Sequence, residues 1–258
     1  MTERSRQGEK RLAFGVDPVR PQYYSLRQAR YDAAAHDISL WAGAAAAEGR
    51  QLSVFDVGCG GGVLMRYLQA RPHFDAIRLV GADHKDHFDP KRRYPEFILG
   101  DVAEGYPEIP SSSFDVVICE QVLEHLPDIE APLATMARVT KPGGKLIIGV
   151  PIFFPPLHLI RLHVLPSLMR FIPFRDLGTH DQAFSLFSLR RIFSRFPELR
   201  IVEERGFRII SGGPWRPLEN YRWWWRFNRR LGAWFPAACI EVQIILEKRT
   251  PTLAEKMS

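Results

Sequence analysis

The sequence has little cysteine and no long apolar run. Three cysteines among 258 residues cannot build a disulfide framework. Two of them, Cys59 and Cys119, lie at the ends of apolar segments, so we expect a reducing compartment. No stretch of about 18 uncharged apolar residues occurs, so we expect no membrane-spanning helix. Residues 1–11 are polar and lack the apolar core of a signal peptide, which favours a cytoplasmic location.

The excess of positive charge is also small. The chain carries 35 basic and 29 acidic side chains, a net charge of +6. This excess suits nucleic acid or an anionic membrane surface, and the positions of the charges must decide between them. With 46% apolar and 25% charged residues, the composition excludes a disordered, collagen-like or coiled-coil chain. The length suits one large α/β domain with insertions.

What is present is an alternation of β-rich and helical segments. Up to residue 150 this alternation predicts a parallel sheet that helices cover on both faces. Beyond it, two longer strands separated by an insertion predict a β-hairpin that closes the sheet edge. Helices are predicted at 22–48, 63–70, 129–139 and 185–196. Strands are predicted at Leu52–Val57, Ile77–Asp83, Phe97–Leu99, Phe114–Cys119, Lys145–Val150, Leu199–Ile210 and Cys239–Lys248.

The strongest local signal is a glycine-rich turn after the first predicted strand. There Asp56 stands ahead of the glycines at positions 58, 60, 61 and 62, and a helix follows. Gly58 and Gly60 permit backbone angles that other residues avoid and allow a ligand to approach the main chain. Asp83 ends the next predicted strand, where an acid suits hydrogen bonds to both hydroxyls of an adenosine ribose.

Three interpretations of this turn compete. It could be structural only, as many glycine turns are. A dinucleotide site requires a glycine where Val63 stands. S-adenosylmethionine is a sulfonium cation with an ammonium group and no phosphate, and it favours an acid such as Asp56 ahead of the glycines.

Residues 52–150 resemble the class I S-adenosylmethionine-dependent methyltransferases. Besides the glycine turn, motifs in the family's order stand at Leu79–Asp83, Leu99–Val102, Phe114–Glu120, Leu123–Leu126 and Lys141–Leu146. The resemblance implies a Rossmann-like α/β fold with a seven-stranded, mostly parallel sheet and an antiparallel last strand. It also implies S-adenosylmethionine as the cofactor. The implied cofactor-binding residues are Asp56, Gly58, Cys59, Gly60, Asp83, His84, Asp101, Val102 and Glu120.

A second resemblance, to the ubiquinone-biosynthesis O-methyltransferases, rests on the stretch 119–125 and on Gly178-Thr179-His180-Asp181. Those enzymes place an apolar, membrane-contacting segment before the latter motif, and 151–177 is such a segment. The resemblance implies O-methylation of a hydrophobic or lipid-linked small molecule. Some members bind a divalent metal through Glu, Glu and His, but Gln121 stands at the first of these positions, so no metal is expected.

The candidate catalytic residues are histidines and a neighbouring acid. A hydroxyl acceptor must lose a proton, and His180 beside Asp181 is the expected general base because the acid can orient the imidazole ring. The alternative is a pair that caps a helix or fixes a lid. His125 is the third candidate catalytic residue, with the alternative that it holds the chain after the fourth strand.

We therefore expect a flexible N-terminus at 1–20, a methyltransferase domain at 21–250 and a tail at 251–258. Within the domain, 151–182 and 211–237 are expected to form lid insertions. The alternative functions are an RNA or protein methyltransferase, or a non-catalytic binding protein with the same fold.

The second insertion predicts an amphipathic helix over 219–235. At about 100° per residue, four arginines gather on one side and five apolar residues on the other, a pattern typical of a helix in a membrane interface. Peripheral contact with the inner face of the membrane is expected through Trp223, Trp224, Trp225, Arg222 and Arg226. The alternative is a helix that packs its aromatics on its own sheet. Nucleic acid is disfavoured because no recognised RNA-binding module accompanies the basic and aromatic residues.

Overall fold

The computed structural model describes residues 28–86, 94–153, 182–210 and 213–250. Its strands are β1 (Leu52–Val57), β2 (Ile77–Asp83), β3 (Glu96–Leu99), β4 (Phe114–Glu120), β5 (Thr140–Pro151), β6 (Leu199–Phe207) and β7 (Glu241–Lys248). The α-helices are α1 (Ala29–Ala47), α2 (Val63–Gln69), α3 (Glu130–Val139), α4 (Leu186–Phe193) and α5 (Arg222–Trp234). Short 3-10 turns stand at Phe74–Ala76, Val102–Glu104, Leu123–His125, Gly213–Asn220 and Pro236–Ala238.

The seven strands form one sheet in the order β3-β2-β1-β4-β5-β7-β6. Neighbours from β3 to β5 pair in parallel, and β7 runs antiparallel to both β5 and β6. The predicted Rossmann-like fold, with its antiparallel last strand, is therefore confirmed. The order reverses between β1 and β4, and the carboxyl ends on either side of such a reversal form a crevice where ligands bind in open α/β sheets.

Helices cover both faces of the sheet. On one face α1 and α2 bury Ile38 and Leu64 against Val54 and Ile118. On the other face α3 and α4 bury Leu133 and Leu189 in a core that also contains Phe55. Every residue of β1 is buried, which is why its sequence does not alternate regularly between polar and apolar residues.

Several predicted boundaries shift by a few residues. β6 ends at Phe207 and not at residue 210, because Arg208 adopts a φ of 58°, which an extended strand cannot accommodate. β5 begins at Thr140, ahead of the Pro142-Gly143-Gly144 turn, with a register shift against β4 between Phe114 and Val116. The predicted N-terminus (1–20) and tail (251–258) lie outside the described residues, as does most of the first insertion, 154–181.

The second insertion contains α5, which begins at Arg222 and not at residue 219. The helix packs closely on β6: a Cβ added to Gly232 would lie 2.2 Å from the carbonyl oxygen of Gly206. Asn228 is buried, and its Oδ1 accepts a hydrogen bond from the Ile210 N–H at 3.0 Å. The alternative in which α5 packs on its own domain is thus correct for this inner face of the helix.

Two residues of the expected membrane-contacting pattern belong to that inner face. Trp224 is only 6% exposed, so its assignment as a membrane-contacting residue is wrong. The Arg229 guanidinium lies 4.4 Å from the centre of the Phe207 ring, so it is not part of a free arginine stripe. The side chains of Arg222 and Trp225 lie outside the described part of the structure.

Substituting Gly232 by valine should destabilise the protein, because the added carbons meet the Gly206 backbone and α5 must move away from β6. Overpacking of this kind costs about 1–3 kcal/mol in the free energy of unfolding. Urea denaturation measures it, with Ala233→Val as the control, since residue 233 is the exposed neighbour on the same helix. Equal midpoints for the two variants would contradict the close packing.

Candidate functional site

A cavity of about 330 Å³ lies at the carboxyl end of the sheet. It occupies the crevice beside the order reversal between β1 and β4, and its size is that of a small-molecule site. It is lined by Gly58, Asp83, His84, Gly100, Asp101, Val102, Tyr106, Gln121, Val122, His125 and Leu126. The fold therefore brings together residues from four of the motifs noted in the sequence.

The glycine turn after β1 forms one wall. Gly58 and Gly60 have φ values of 69° and 47°, in the left-handed region that favours glycine. A Cβ on Gly58 would lie 2.2 Å from Cγ2 of Val122, whereas a Cβ on Gly60 would meet nothing within 4 Å. Gly58 thus admits the Val122 side chain, and Gly60 leaves open space beside the main chain.

Asp83, at the end of β2, holds the glycine turn. Its Oδ2 accepts a hydrogen bond from the Gly60 N–H at 2.9 Å, and its Oδ1 accepts one from the Lys85 N–H at 3.2 Å. The Nδ1 atom of His84 lies 3.0 Å from the same Oδ1. Asp83 is buried, yet it lines the cavity; its role toward a ribose stays a prediction.

The wall after β3 combines a carboxylate with apolar side chains. The Asp101 carboxylate accepts a hydrogen bond from the Ala103 N–H at 2.9 Å and so caps the short turn that carries Val102. Val102 and Tyr106 are buried, and the Tyr106 ring packs edge-on against Phe55 with 5.5 Å between ring centres. This wall offers an apolar surface beside one carboxylate, an arrangement that suits a flat heterocycle.

Three predicted cofactor residues lie beside the cavity and not in its wall. Asp56 is buried and accepts a hydrogen bond from the Tyr94 hydroxyl; burial raises the pKa of its carboxyl to about 7. Glu120 is buried too, pairs with Arg30 Nε at 3.1 Å, and has its pKa raised to about 7, mainly by burial. Cys59 is a free, buried thiol. Their predicted roles remain predictions.

The segment after β4 forms the remaining wall. His125 and Leu126 line the cavity, while Glu124 between β4 and His125 is almost fully buried, which raises its pKa to about 7. Gln182 ties the chain to this segment, because its N–H donates to the Glu124 carbonyl at 3.1 Å. The insertion thus rejoins the described chain beside His125. His180 and Asp181 themselves lie outside the described residues.

The lining residues decide which kind of ligand fits. Asp83 and Asp101 contribute carboxylates, and no lysine or arginine occurs among the described residues that line the cavity. The two carboxylates would repel a pyrophosphate, whereas a cationic, phosphate-free ligand with a ribose finds acids and an open glycine turn. A search of the described ranges finds no group of three or more His, Cys, Asp or Glu side chains that could hold a metal ion.

A comparison with known families agrees with this fit, since residues 55–148 match the family described as "Methyltransferase domain". The chain therefore contains a methyltransferase domain at residues 55–148. Its cofactor is S-adenosylmethionine, and the resemblance noted in the sequence is confirmed.

Curated relatives extend the likeness beyond the methyltransferase motifs. The chain is 27% identical over 176 residues to a ubiquinone biosynthesis O-methyltransferase of Aeromonas salmonicida, covering 65% of this chain and 68% of that one. It is 30% identical over 135 residues to proteins of the same name from Pseudomonas syringae and Pseudomonas putida. Those alignments cover 50% of this chain and only 55% of the Pseudomonas proteins, about half of their length.

Solved structures show the same fold at low identity. The YcgJ protein of Bacillus subtilis is 16% identical with a TM-score of 0.50, over 84% of this chain and 99% of that one. A Haloferax volcanii putative methyltransferase, solved with the Trm112 activator, is 18% identical with a TM-score of 0.50, over 78% and 84% of the two chains.

Sequence reasoning missed several residues of the methyltransferase cavity. Gly100 adjoins Asp101 and could have been taken from the motif. Tyr106 reaches the wall only because Gly105 and Tyr106 both turn with positive φ, of 90° and 47°. Gln121 and Val122 lie in the stretch 119–125, and Leu126 ends the motif Leu123–Leu126. The sequence could not show that these residues line the cavity, because this depends on the path of the chain after β4.

Replacing Asp83 by alanine should weaken cofactor binding, because the variant loses the ribose acceptor and the bond that holds Gly60. A charge-assisted hydrogen bond contributes about 1.5–3 kcal/mol, so the dissociation constant of S-adenosylhomocysteine should rise at least tenfold. Titration calorimetry measures it, with Glu96→Ala as the control, an exposed carboxylate on neighbouring β3. Unchanged affinity in folded Asp83→Ala would overturn the ribose assignment.

Proposed function

We propose that this protein transfers the methyl group of S-adenosylmethionine to a hydroxyl oxygen of a hydrophobic or lipid-linked small molecule. One observation carries the proposal: the cavity that is lined by the acid Asp83 is also lined by the apolar residues Val122 and Leu126, with His125 between them in sequence. The names of the curated relatives, O-methyltransferases of ubiquinone biosynthesis, support the acceptor class.

When bound, S-adenosylmethionine would supply a methyl group on a positively charged sulfur. Transfer of this group to the acceptor oxygen would break the carbon–sulfur bond and leave the bonding electron pair on sulfur. The protein's work is therefore to position the reactants and exclude water. In this proposal Gly58, Gly60 and Asp83 hold the cofactor, with Asp101 and Val102 at the adenine.

In this proposal a histidine removes the proton from the acceptor hydroxyl. We assign the general base to His180, whose imidazole takes the hydroxyl proton while Asp181 orients the ring. His125 lines the cavity and is the second candidate.

The His180→Ala variant tests this assignment. Its transfer rate should fall by about 10²–10⁴ because general-base assistance is lost, while the dissociation constant of S-adenosylhomocysteine stays within about twofold. The assay uses methyl-labelled cofactor and phenols with and without an isoprenoid tail, and counts label in the organic phase. The control is His36→Ala, an exposed histidine on α1.

An unchanged rate in His180→Ala would show that the base lies elsewhere. Transfer to the tailless phenols alone would contradict a lipid-linked acceptor. Wild-type protein that binds the cofactor and methylates no hydroxyl probe would overturn O-methylation.

We further propose that the outer face of α5 contacts an anionic membrane surface peripherally, on the cytoplasmic side. Trp223, Phe227 and Trp234 are exposed there, Trp234 at 73%. Arg226 and Arg230 are also exposed and stand three or four positions from those aromatics, so they share the face. The sequence predicts arginines on the side opposite the apolar residues, whereas in the structure Arg226 and Arg230 lie on the same face as the exposed aromatic residues.

The composition of this face favours a lipid interface over a protein partner. α5 carries four arginines and no acid, and tryptophan beside arginine suits the boundary between headgroups and acyl chains. No helix among the described residues is long and apolar enough to span a membrane.

Vesicle co-sedimentation tests the membrane contact. Wild-type protein should sediment with phosphatidylglycerol-containing vesicles at low salt and less at high salt, since each arginine near an anionic surface contributes about 1 kcal/mol. Arg226→Glu/Arg230→Glu should abolish sedimentation. The control is Arg191→Glu/Arg195→Glu, the same charge change at exposed arginines elsewhere. Wild-type protein that stays in the supernatant, or equal loss in both variants, would overturn the contact.

A further inference from the structure

A second cavity, of about 300 Å³, lies at the edge of the sheet opposite the cofactor cavity. It adjoins the amino ends of β1 and β4, because Leu52 begins β1 and Val116 stands two residues after the start of β4. Its other lining residues come from α1, from the segment between α1 and β1 and from the first half of β5. Its volume is at the lower end of the range for small-molecule sites.

Part of the lining of this second cavity is apolar. Leu52 and Val116 are buried residues of the sheet core. Trp41 and Ala44 of α1 line the cavity too, and Trp41 packs, half-buried, against the same core. An indole beside apolar sheet residues favours a ligand with a planar ring, because aromatic rings attract each other in offset-stacked or edge-on arrangements.

A tight turn in β5 brings two lysines to the second cavity. A Cβ added to Gly144 would lie 2.8 Å from the carbonyl oxygens of both Asp115 and Lys141, so the turn packs directly on β4. Lys141 and Lys145 stand on either side of this turn, and both line the cavity. Arg50, whose side chain is 49% exposed, adds a third cation to the lining.

Asp115 is the one acid among the described residues that line the second cavity, and it is already bonded. Its Oδ2 accepts hydrogen bonds from the Ser53 N–H at 2.8 Å and from the Lys141 ammonium at 2.9 Å. The Arg50 Nη1 atom lies 3.6 Å from its Oδ1. Since two cations and a backbone N–H already offset its charge, this carboxylate does little to oppose an anionic ligand.

The charges around the second cavity leave one positive charge in excess. Lys145 pairs with Glu247, which also binds Arg200 at 3.0 Å, and Arg50 Nε donates to Glu48 at 2.8 Å. Four basic side chains thus face three carboxylates: Arg50, Lys141, Lys145 and Arg200 against Glu48, Asp115 and Glu247. Because an ammonium has three N–H donors and a guanidinium five, Lys145 and Arg50 retain donors beyond these pairs.

We propose that this second cavity binds a small aromatic carboxylate, with its ring against Trp41 and its carboxylate at Arg50 and Lys145. One excess positive charge matches a monoanion, and the planar guanidinium suits the two oxygens of a carboxylate. The cofactor cavity has the opposite polarity, with carboxylates and neither lysine nor arginine among its described lining residues. The two cavities therefore select different ligands, and this proposal does not depend on the methyl acceptor.

Titration calorimetry with indole-3-acetate tests the site. Protein saturated with S-adenosylhomocysteine should bind one equivalent of this probe, because the cofactor cavity is then filled and the second cavity is not. Two matched probes separate the parts of the ligand: indole-3-acetamide keeps the ring without the charge, and acetate keeps the charge without the ring. Each should bind at least about tenfold more weakly than indole-3-acetate.

Arg50→Gln/Lys145→Gln should raise the dissociation constant of indole-3-acetate at least about tenfold, because both charged donors are lost. The control is Arg78→Gln/Arg195→Gln, which removes two positive charges at exposed arginines that pair with Glu96 and Glu130. Its dissociation constant should stay within about twofold of wild type, since salt screens charges at a distance. Unchanged S-adenosylhomocysteine affinity verifies that both variants are folded.

No binding of indole-3-acetate at millimolar concentration would overturn the proposal. Equal affinity for indole-3-acetamide would contradict the anionic ligand, and equal affinity for acetate would contradict the aromatic one. Equal dissociation constants in Arg50→Gln/Lys145→Gln and its control would show that the probe binds elsewhere. Displacement of the probe by S-adenosylhomocysteine would show binding in the cofactor cavity, which would also overturn the second site.

Discussion

The cavity depends on how the glycine turn after β1 is fastened to β2. The N–H groups of Gly58 and Cys59 both donate to the Ala82 carbonyl, at 2.8 and 3.0 Å, and Asp83 takes the N–H of Gly60. These bonds hold the turn open at positive φ, where only glycine is free of strain. Because β1 lies beside the reversal of the sheet order, between β2 and β4, the other walls are built around this turn.

A layer of buried charge supports the same edge of the sheet from the α1 side. Arg30 of α1 pairs with Glu120 at 3.1 Å and with Glu241 at 3.0 Å, and Gln243 donates to Glu120. A Cβ on Gly149 would overlap the Glu120 carboxylate, so glycine on β5 makes the room. Buried charges are tolerated when they are paired in this way, and the layer ties α1 to the strands whose ends surround the cavity.

Much of the fold could be predicted because the signals were local. Each of the seven strands could be predicted from its β-rich local sequence, and the order of the motifs indicated the family. Asp83, Asp101 and Val102 could be placed in the site because each directly follows or ends a strand, and parallel strands bring those ends together. The directions of Asp56 and Glu120 could not be predicted, because Tyr94 and Arg30, which bind them, are distant in sequence.

The sequence by itself determined the alternation of strands and helices, the glycines that permit the turn and the acids that follow the strands, since these depend on local backbone preference and hydrophobic period. Only the tertiary structure decided which face of α5 is buried, because Arg229 and Gly232 meet β6 through contacts between distant segments. It also decided that Gln121 joins the cavity lining at a positive φ, since its N–H donates to the Gly149 carbonyl on the neighbouring strand.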